Sequence, residues 1–318
     1  MTTVGFIGLG NVGSKLSGTL VRSGVTTIVL DSDPAAMAPL LEVGAQPASS
    51  PADLASRCEV IITCLPSPAI VAGVMESPDG VLAGMRPDTI WVEMSTTDSQ
   101  EVIRLSKLVE EKHGYAADAP VSGGCHRAAT GNISIFAGCD RATFERLLPL
   151  LSVMGRRVLH TGELGSASKL KVMTNYLATA NLVAVTEALA ACAKVGLDLG
   201  VAYEAIAASS GTSFVHETEG QVILNGSRDI NFTMDLVKKD VGLFISMAAE
   251  AGMQLELADL VAGIFDDGIE RYGPREWSPN IIRRLEDDYG IDVVAPGFPA
   301  EMVDTELEEL GGEVRVRR

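Results

Sequence analysis

The sequence is short of positive charge. Its 318 residues include 25 lysines and arginines against 42 aspartates and glutamates, which gives a formal net charge of −17 at pH 7. A protein that binds nucleic acid needs a basic surface to neutralise phosphates, so the composition argues against such a partner. Solubility is a sufficient explanation for the excess of acid. The chain is long enough for one large or two ordinary domains, each with its own core.

The sequence also lacks the paired spacings of metal ligands. Its five cysteines are scattered without a C-x-x-C pair, and its four histidines have no ligand-like spacing. We therefore expect no metal site. Isolated cysteines with small, apolar neighbours are typical of reduced thiols, so the expected localisation is cytoplasmic.

No apolar run is both long and uninterrupted. The segment after Met1 has no basic start and is broken by glycines, so we expect no secretory signal. The longest apolar stretch, residues 172–193, contains Asn175, Asn181 and Glu187. These polar residues favour a buried helix over a membrane span, and no membrane partner is expected.

The first half of the chain alternates short apolar segments with helical patterns, as in a parallel sheet with crossover helices. Strands are predicted at 4–7, 26–30, 60–64, 89–93, 115–117 and 157–161, and helices at 11–22, 51–57, 97–112 and 141–152. Later helices are predicted at 168–194, 201–208, 231–251, 255–272 and 279–289, with no alternating strand among them.

These patterns predict an α/β Rossmann domain followed by an all-α domain. The predicted boundaries are 1–162 for the Rossmann domain and 163–290 for the helical domain. The remaining residues, 291–318, are rich in Pro, Gly and Glu, and they are predicted to form a C-terminal tail that is partly mobile.

A glycine-rich loop follows the first predicted strand and opens the first predicted helix. It fits the pattern G-x-G-x-x-G and lies within about 30 residues of a second strand, the context that a dinucleotide site requires. The first glycine permits a tight turn, the second lets a pyrophosphate approach, and the third allows close helix–strand packing. The start of the helix offers N–H groups to the phosphates. The predicted cofactor-binding residues here are Gly8, Leu9, Gly10, Asn11, Val12 and Gly13.

Asp31 ends the second predicted strand, eighteen residues beyond Gly13. A carboxylate at this position can accept hydrogen bonds from the adenosine ribose hydroxyls and would repel a 2′-phosphate. Ser32 and Asp33 supply no arginine that would accommodate that phosphate. The predicted cofactor is therefore NAD rather than NADP. The alternative is that Asp31 is a plain surface aspartate.

A second glycine-bearing loop lies in residues 118–131. Ser122 precedes two adjacent glycines, Gly123 and Gly124. Adjacent glycines leave backbone N–H groups open to an anion, and Ser122 adds a hydroxyl donor. We expect these three residues to bind the carboxylate of a small acid. His126 is close enough to help read the substrate, the alternative being a solvated loop histidine.

Lys171 and Asn175 lie four residues apart near the start of the long predicted helix, so they share one face of it. A lysine and an amide aimed at the same point can protonate and orient a carbonyl oxygen. The alternative is that Lys171 is solvated, as lysines near the start of a helix usually are.

Taken together, these segments resemble the β-hydroxyacid dehydrogenase family, whose members include 3-hydroxyisobutyrate dehydrogenase and tartronate semialdehyde reductase. The resemblance spans residues 4–290 and is carried by four motifs in the family's order, at 5–13, 118–131, 171–175 and 238–243. It implies Lys171 as the catalytic lysine, Asn175 as a substrate contact and Lys239 beside the nicotinamide.

Two shorter matches add to the resemblance. Cys64-Leu65-Pro66 looks like a family turn along the dinucleotide, which implies Leu65 and Pro66 as cofactor contacts. The pair Ser95-Thr96 implies that Thr96 lies near the nicotinamide ribose; the alternative for both is a strand-to-helix turn with an N-cap. The chain departs from the family pattern at Val12, where methionine is common, and at Ala167, where glycine is typical. Neither departure removes a reactive group.

The activity implied is reversible hydride transfer between NAD and a short 3-hydroxy acid, with Lys171 as proton donor and acceptor. One alternative is an imine or related carbonyl reductase on the same scaffold, where another residue type usually replaces this lysine. A second is 6-phosphogluconate dehydrogenase, for which this chain is short. A third is a non-catalytic nucleotide-binding regulator, against which the retained site residues argue. The small residues of the helix at 168–194 suit close packing, and with the resemblance they predict a homodimer or homotetramer.

Overall fold

The structure is a computed structural model that describes residues 2–316. The chain divides into two compact units. Unit 1 contains the residues up to Lys171 together with the segment from Asp304 onward, and unit 2 contains Val172–Val303.

Unit 1 is built around one sheet flanked by helices. Its strands are β1 (Val4–Ile7), β2 (Thr27–Leu30), β3 (Gln46–Pro47), β4 (Val60–Thr63), β5 (Ile90–Glu93), β6 (Tyr115–Asp118), β7 (Val121–Ser122), β8 (Ile133–Gly138), β9 (Gly155–Gly162) and β10 (Gly312–Glu313). Its helices are α1 (Gly13–Arg22), α2 (Pro34–Glu42), α3 (Pro51–Arg57), α4 (Pro68–Glu76), α5 (Val81–Gly84), α6 (Ser99–Glu111), α7 (Gly124–Thr130) and α8 (Arg141–Met154).

The strands follow the order β10-β9-β8-β6-β5-β4-β1-β2-β3, with β7 beside β8. The portion β3-β2-β1-β4-β5-β6 is parallel throughout and has the strand order of a Rossmann fold. The order reverses at β1 and β4. In such a sheet, ligands bind beyond the carboxyl ends of the strands at that reversal.

The carboxyl ends of five strands lie in register. Ile7 at the end of β1 is level with Leu30 in β2 and with Thr63 in β4. Thr63 is in turn level with Glu93, and Glu93 with Asp118. The loops that follow β1, β2, β4, β5 and β6 therefore leave the same edge of the sheet.

Both faces of this sheet are covered, because successive side chains of a strand point to opposite faces. In β5, Trp91 is buried in one apolar cluster and Val92 in the other. In β4, Ile61 and Ile62 divide in the same way. This explains why the strands appear in the sequence as continuous apolar runs rather than as alternating patterns.

Unit 2 is helical. It contains most of α9 (Ser166–Lys194), followed by α10 (Leu199–Ala207), α11 (Phe214–Asn225), α12 (Met234–Glu250), α13 (Glu256–Tyr272), a 3₁₀ turn (Ser278–Ile282) and α14 (Arg283–Tyr289). Its core includes Val222 to Leu224 of α11, Val237 of α12 and Phe265 of α13, all essentially buried. The predicted fold class, a Rossmann domain followed by a helical domain, is confirmed.

Helix α9 is 29 residues long, and of the described helices it alone is long and apolar enough to cross a membrane by length and composition. Its second half belongs to the core of unit 2 through Leu182, Val185 and Leu189. Near its start, Met173 and Leu177 remain 44% and 59% exposed. The predicted burial of this helix therefore holds for its second half.

Several helices that the predicted list omits carry signals in the sequence. Helices α2 and α4 each begin with a proline after a capping side chain, Asp33 and Ser67, which accept hydrogen bonds from the first turn. An N-cap followed by proline at the first helical position is a recognised helix start. The same signal predicts α3 correctly, with Ser50 as its N-cap. Strand β8 and helices α7 and α11 were also not predicted.

The last part of the predicted C-terminal tail belongs to the sheet of unit 1. The tail contains β10, which pairs in parallel with β9. Gly311 makes this approach possible, because a Cβ there would lie 1.8 Å from the carbonyl oxygen of Gly155. The compact units also divide the chain at 171/172 rather than at the predicted 162/163, and residues from 304 onward belong to unit 1. Both differences arise from contacts between residues distant in sequence, which local patterns do not report.

Candidate active site

The loop between β1 and α1 has the geometry of a phosphate cradle. Gly8 has φ +96°, and a Cβ there would lie 2.3 Å from the carbonyl oxygen of Cys64. A Cβ at Gly13 would lie 2.0 Å from the carbonyl oxygen of Gly8, whereas a Cβ at Gly10 would meet nothing within 4 Å. The fold itself therefore requires Gly8 and Gly13, whereas Gly10 leaves open space over the backbone. That space beside the start of α1 fits a pyrophosphate group.

Asp31 holds this loop to the end of β2. Its Oδ2 accepts a hydrogen bond from the Leu9 N–H at 2.6 Å, and its Oδ1 accepts one from the Asp33 N–H at 2.9 Å. The sequence alone suggested only a contact with ribose. A carboxylate offers about four acceptor positions, so capacity remains for ribose hydroxyls beside these two backbone bonds.

Glu93, which the sequence reasoning did not single out, joins the loops after β4 and β5. Its Oε1 accepts the Ser95 N–H at 2.7 Å, and the Ser95 hydroxyl accepts the Leu65 N–H at 2.8 Å. The Thr63 hydroxyl donates to Glu93 Oε2 at 2.5 Å and accepts the Trp91 indole N–H at 2.9 Å. The two segments with the predicted cofactor contacts Leu65, Pro66 and Thr96 are therefore held together by one buried network.

Glu93 is completely buried. Burial raises the pKa of its carboxyl to about 7, although hydrogen bonds from Ser95 and Thr63 favour the charged form. The signal available in the sequence was an acid at the end of an otherwise apolar strand, since buried acids are rare unless they are paired.

The predicted acid-binding loop follows β6. Val121 and Ser122 form β7 against β8, with Ser122 level with Ser134. Gly123 and Gly124 have φ values of +132° and +87°, which side-chain-bearing residues rarely adopt. Gly124 is exposed, so its backbone is open to a ligand.

His126 lies just after these glycines and is half-buried. A Cβ at Gly124 would lie 2.8 Å from the imidazole ring, which shows how closely the ring approaches the loop. Burial lowers the pKa of His126, and the neighbouring charge of Arg127 adds to the effect. The side chain is therefore mainly neutral at pH 7.

Asp118 caps the helix that carries Lys171. Its Oδ1 accepts the Gly165 N–H at 2.8 Å, and its Oδ2 accepts the Ser168 N–H at 2.6 Å. Helix α9 begins at Ser166, so these are the N–H groups of its N-cap and third residue, the two that a capping box satisfies. Gly165 has no side chain with which to cap the helix itself. A fully buried carboxylate at the end of β6 performs both functions instead.

Lys171 is the sixth residue of α9 and is only 8% exposed. It is therefore not the solvated lysine that its position near a helix start would suggest. Asp118, which caps the helix, stands four residues before Ser122. Unit 1 therefore contains the predicted dinucleotide loop, the predicted acid-binding loop and Lys171.

Unit 2 contains the other two predicted site residues. The Asn175 amide donates to Asp240 Oδ2 at 2.6 Å. The Lys239 ammonium lies 2.7 Å from Asp240 Oδ1, although that oxygen completes no hydrogen bond of suitable geometry. Asp240 is 1% exposed. Within unit 2, this buried carboxylate thus brings Asn175 and Lys239 together, and it was not among the predicted site residues.

Two family models match the chain in succession. Residues 3–162 match the NAD binding domain of 6-phosphogluconate dehydrogenase. Residues 165–285 match the model described as the NAD-binding domain of NADP-dependent 3-hydroxyisobutyrate dehydrogenase. Residues after 285 lie outside both models.

The 2-(hydroxymethyl)glutarate dehydrogenase of Eubacterium barkeri is 33% identical over 291 residues, which cover 91% of this chain and 97% of that protein. The chain belongs to the β-hydroxyacid dehydrogenase family. It is an NAD(P)-dependent dehydrogenase that acts on CH–OH groups.

Solved structures of family members agree with the fold. The 3-hydroxyisobutyrate dehydrogenase of Salmonella typhimurium has a TM-score of 0.82 at 28% identity, covering 89% of this chain and 100% of that one. The enzyme of that name from Mycobacterium tuberculosis, solved with L-serine, has a TM-score of 0.79 at 28% identity and covers 90% and 99% of the two chains.

The buried Glu93 predicts a pH-dependent term in stability. Its pKa is raised from 4.5 to about 7 in the folded protein, so the folded state holds a proton that the unfolded chain has already lost. This term stabilises the fold fully below pH 4.5 and is lost as pH rises to about 7. A shift of one pKa unit corresponds to about 1.4 kcal/mol. When pH rises from 4.5 to 8, the free energy of unfolding of Glu93→Gln should therefore increase by up to about 3 kcal/mol relative to that of the unsubstituted protein.

Urea unfolding of both proteins at the two pH values measures this difference. Glu59→Gln, at an exposed position beside β4, is the matched control and should show no such gain. An equal stability difference between Glu93→Gln and the unsubstituted protein at both pH values would contradict the prediction.

Asp118→Ala should destabilise the protein by about 2–3 kcal/mol, because it leaves two buried N–H groups without an acceptor. Asp98→Ala removes an ordinary exposed cap from α6, where Asp98 accepts the Gln100 N–H at 2.9 Å, and should cost about 1 kcal/mol. Urea unfolding of the two variants provides the comparison. A cost for Asp118→Ala no greater than that for Asp98→Ala would show that the buried bonds add nothing beyond an ordinary cap.

Proposed function

We propose that the protein catalyses reversible hydride transfer between NAD and the hydroxyl-bearing carbon of a short 3-hydroxy acid. The observation that carries this proposal is the link that Asp118 makes within unit 1. It ends the strand that leads to the acid-binding loop, and it caps the helix that bears Lys171. The dinucleotide loop leaves the same edge of the sheet as the acid-binding loop.

In this mechanism the Ser122 hydroxyl and the Gly123 and Gly124 N–H groups hold the substrate carboxylate. Lys171 accepts the hydroxyl proton during oxidation and returns it during reduction, a contribution of about 10² to 10⁴ in rate. A bound nicotinamide supplies the hydride chemistry. The near-complete burial of Lys171 supports this role, because it removes the alternative of a solvated lysine at the start of a helix.

Asn175 is proposed as a second substrate contact and Lys239 as a contact of the nicotinamide portion. The bond from the Asn175 amide to Asp240 fixes the orientation of that amide. Its carbonyl oxygen and its second N–H remain to orient a hydroxyl or carbonyl group. The charge of Asp240 likewise restrains Lys239.

The names of the relatives suggest the substrate class. 2-(Hydroxymethyl)glutarate, 3-hydroxyisobutyrate and the L-serine present in one structure all carry a hydroxymethyl group on the carbon next to a carboxylate. They differ in the third substituent of that carbon. We infer that the acid-binding loop takes the shared carboxylate, so the substrate has the form HOCH₂–CHR–COO⁻.

The proposed cofactor is NAD. Asp31 places a negative charge beside the dinucleotide loop, where it would repel a 2′-phosphate and accept hydrogen bonds from ribose hydroxyls.

Lys171→Met tests the proposed chemistry directly. NADH formation from a panel of HOCH₂–CHR–COO⁻ acids should fall by at least about 10²-fold, the lower end of what general acid–base catalysis contributes. NADH affinity should stay nearly unchanged, because Lys171 lies outside the dinucleotide loop. Lys169→Met, at an exposed position on the same turn of α9, should retain full turnover. Substantial turnover by Lys171→Met would exclude the lysine as the proton carrier.

Asp31→Asn should shift the preference between NADP and NAD by about tenfold or more toward NADP, equivalent to about 1.4 kcal/mol. Asparagine keeps an acceptor for the Leu9 N–H but removes the charge. Asp33→Asn removes the same charge two residues away and should have a smaller effect. The ratio of kcat/KM for the two cofactors is the measurement. If this ratio is unchanged in Asp31→Asn, Asp31 does not determine cofactor choice.

A further inference from the structure

The last described part of the chain, residues 304–316, returns to unit 1 and is here named the strap. Its first contacts are with residues 127–132, next to the glycines of the acid-binding loop. The Asp304 carboxylate accepts hydrogen bonds from the Thr130 hydroxyl and from the Asn132 amide, the second at 2.7 Å. Glu306 forms an ion pair with Arg127 at 2.8 Å, and its carbonyl oxygen accepts a second bond from the Asn132 amide at 3.2 Å.

These contacts involve two elements that adjoin the predicted acid-binding residues. Arg127 and Thr130 belong to α7, whose first residue is Gly124. Asn132 stands directly before β8, whose Ser134 is level with Ser122 in β7. The strap therefore holds the helix that follows the two glycines and the start of the strand that pairs with Ser122.

The rest of the strap is anchored away from this region. Arg156 donates to the Leu307 carbonyl oxygen at 3.1 Å and pairs with Glu309 at 2.7 Å. Gly312 and Glu313 form β10 along β9. At the far end, the Glu313 carboxylate receives two hydrogen bonds from Arg141, at 2.6 and 2.9 Å.

The charges of the strap match the surface beneath it. Three of its glutamates face three arginines on α7, α8 and β9. Although partial burial opposes it, the pKa of Asp304 is lowered by hydrogen bonds from Thr130 and Asn132, so this carboxylate is charged at neutral pH. Exposed ion pairs are individually weak. The β10–β9 pairing therefore fixes the strap to the sheet. Asp304 and Glu306 at its beginning then connect it to α7 and Asn132.

We propose that the strap positions the acid-binding loop, with Asp304 and Glu306 as the positioning residues. They hold α7 and Asn132 so that Ser122, Gly123 and Gly124 are ordered before the acid arrives. This inference rests on the proposed function, since it takes the loop to be the acid site. The strap lies outside the residues that the family models match.

Two altered proteins test the proposal. The first ends at Val303 and lacks the strap. The second, Asp304→Asn with Glu306→Gln, keeps the strap and β10 but removes the two charges that face the acid-binding region, so it remains informative if the shortened chain does not fold. The control is Glu308→Gln, which removes the same kind of charge from an exposed position in the same segment.

Hydrogen–deuterium exchange of residues 121–134 without any acid present measures the order of the loop itself. Exchange there should be severalfold faster in both altered proteins and unchanged in Glu308→Gln. The KM for the acid that the unsubstituted enzyme oxidises should rise by about tenfold, with kcat changing less. NADH affinity should stay within about twofold, because the dinucleotide loop has its own anchor at Asp31.

The outcomes separate the strap from the function on which it rests. Unchanged exchange in both altered proteins would overturn the strap as a positioning element. Faster exchange with a raised KM supports the whole proposal. Faster exchange with an unchanged KM would retain the strap but overturn the assignment of this loop as the acid site. A rise in KM accompanied by a fall in both kcat and NADH affinity would mean general damage to the fold and would also overturn the proposal.

Discussion

The parallel register of the sheet is the constraint on which the rest of unit 1 depends. Because β1, β2, β4, β5 and β6 end level with one another, the loops that follow them start from one edge. The sheet thereby brings together the glycine-rich turn, two strand-to-helix turns and the adjacent glycines Gly123 and Gly124. These segments are spread over more than a hundred residues of the sequence. The fold supplies their proximity before any ligand is present.

Three acids at the ends of these strands then hold the loops in place. Asp31 accepts the Leu9 N–H, Glu93 accepts the Ser95 N–H, and Asp118 accepts two N–H groups at the start of α9. Each bond satisfies a backbone donor that irregular structure would otherwise leave unpaired. Part of the acidic excess of this chain, which the composition explains as solubility, is therefore structural. A fourth buried acid, Asp240, accepts a hydrogen bond from the side-chain amide of Asn175 within unit 2.

Much of the fold and part of the site follow from local sequence. The apolar strands, the G-x-G-x-x-G turn and the capping signals at Ser50 depend on neighbouring residues, so they were predicted close to their observed bounds. The burial of Lys171 and the contacts of Asp118, Glu93 and Asp240 did not follow. An acid at the end of an apolar strand, such as Glu93, indicates burial. The local sequence does not identify the groups that donate to it, because those groups are distant along the chain.

The sequence by itself determined the fold class, the order of the motifs and the family, because these depend on spacing along the chain. The tertiary structure alone decided the capping of α9 by Asp118, the network through Glu93 and the return of the strap to unit 1. Those bonds join residues as far as 179 positions apart. Local sequence does not report them, because the register of the folded sheet is what brings the donors and acceptors within reach.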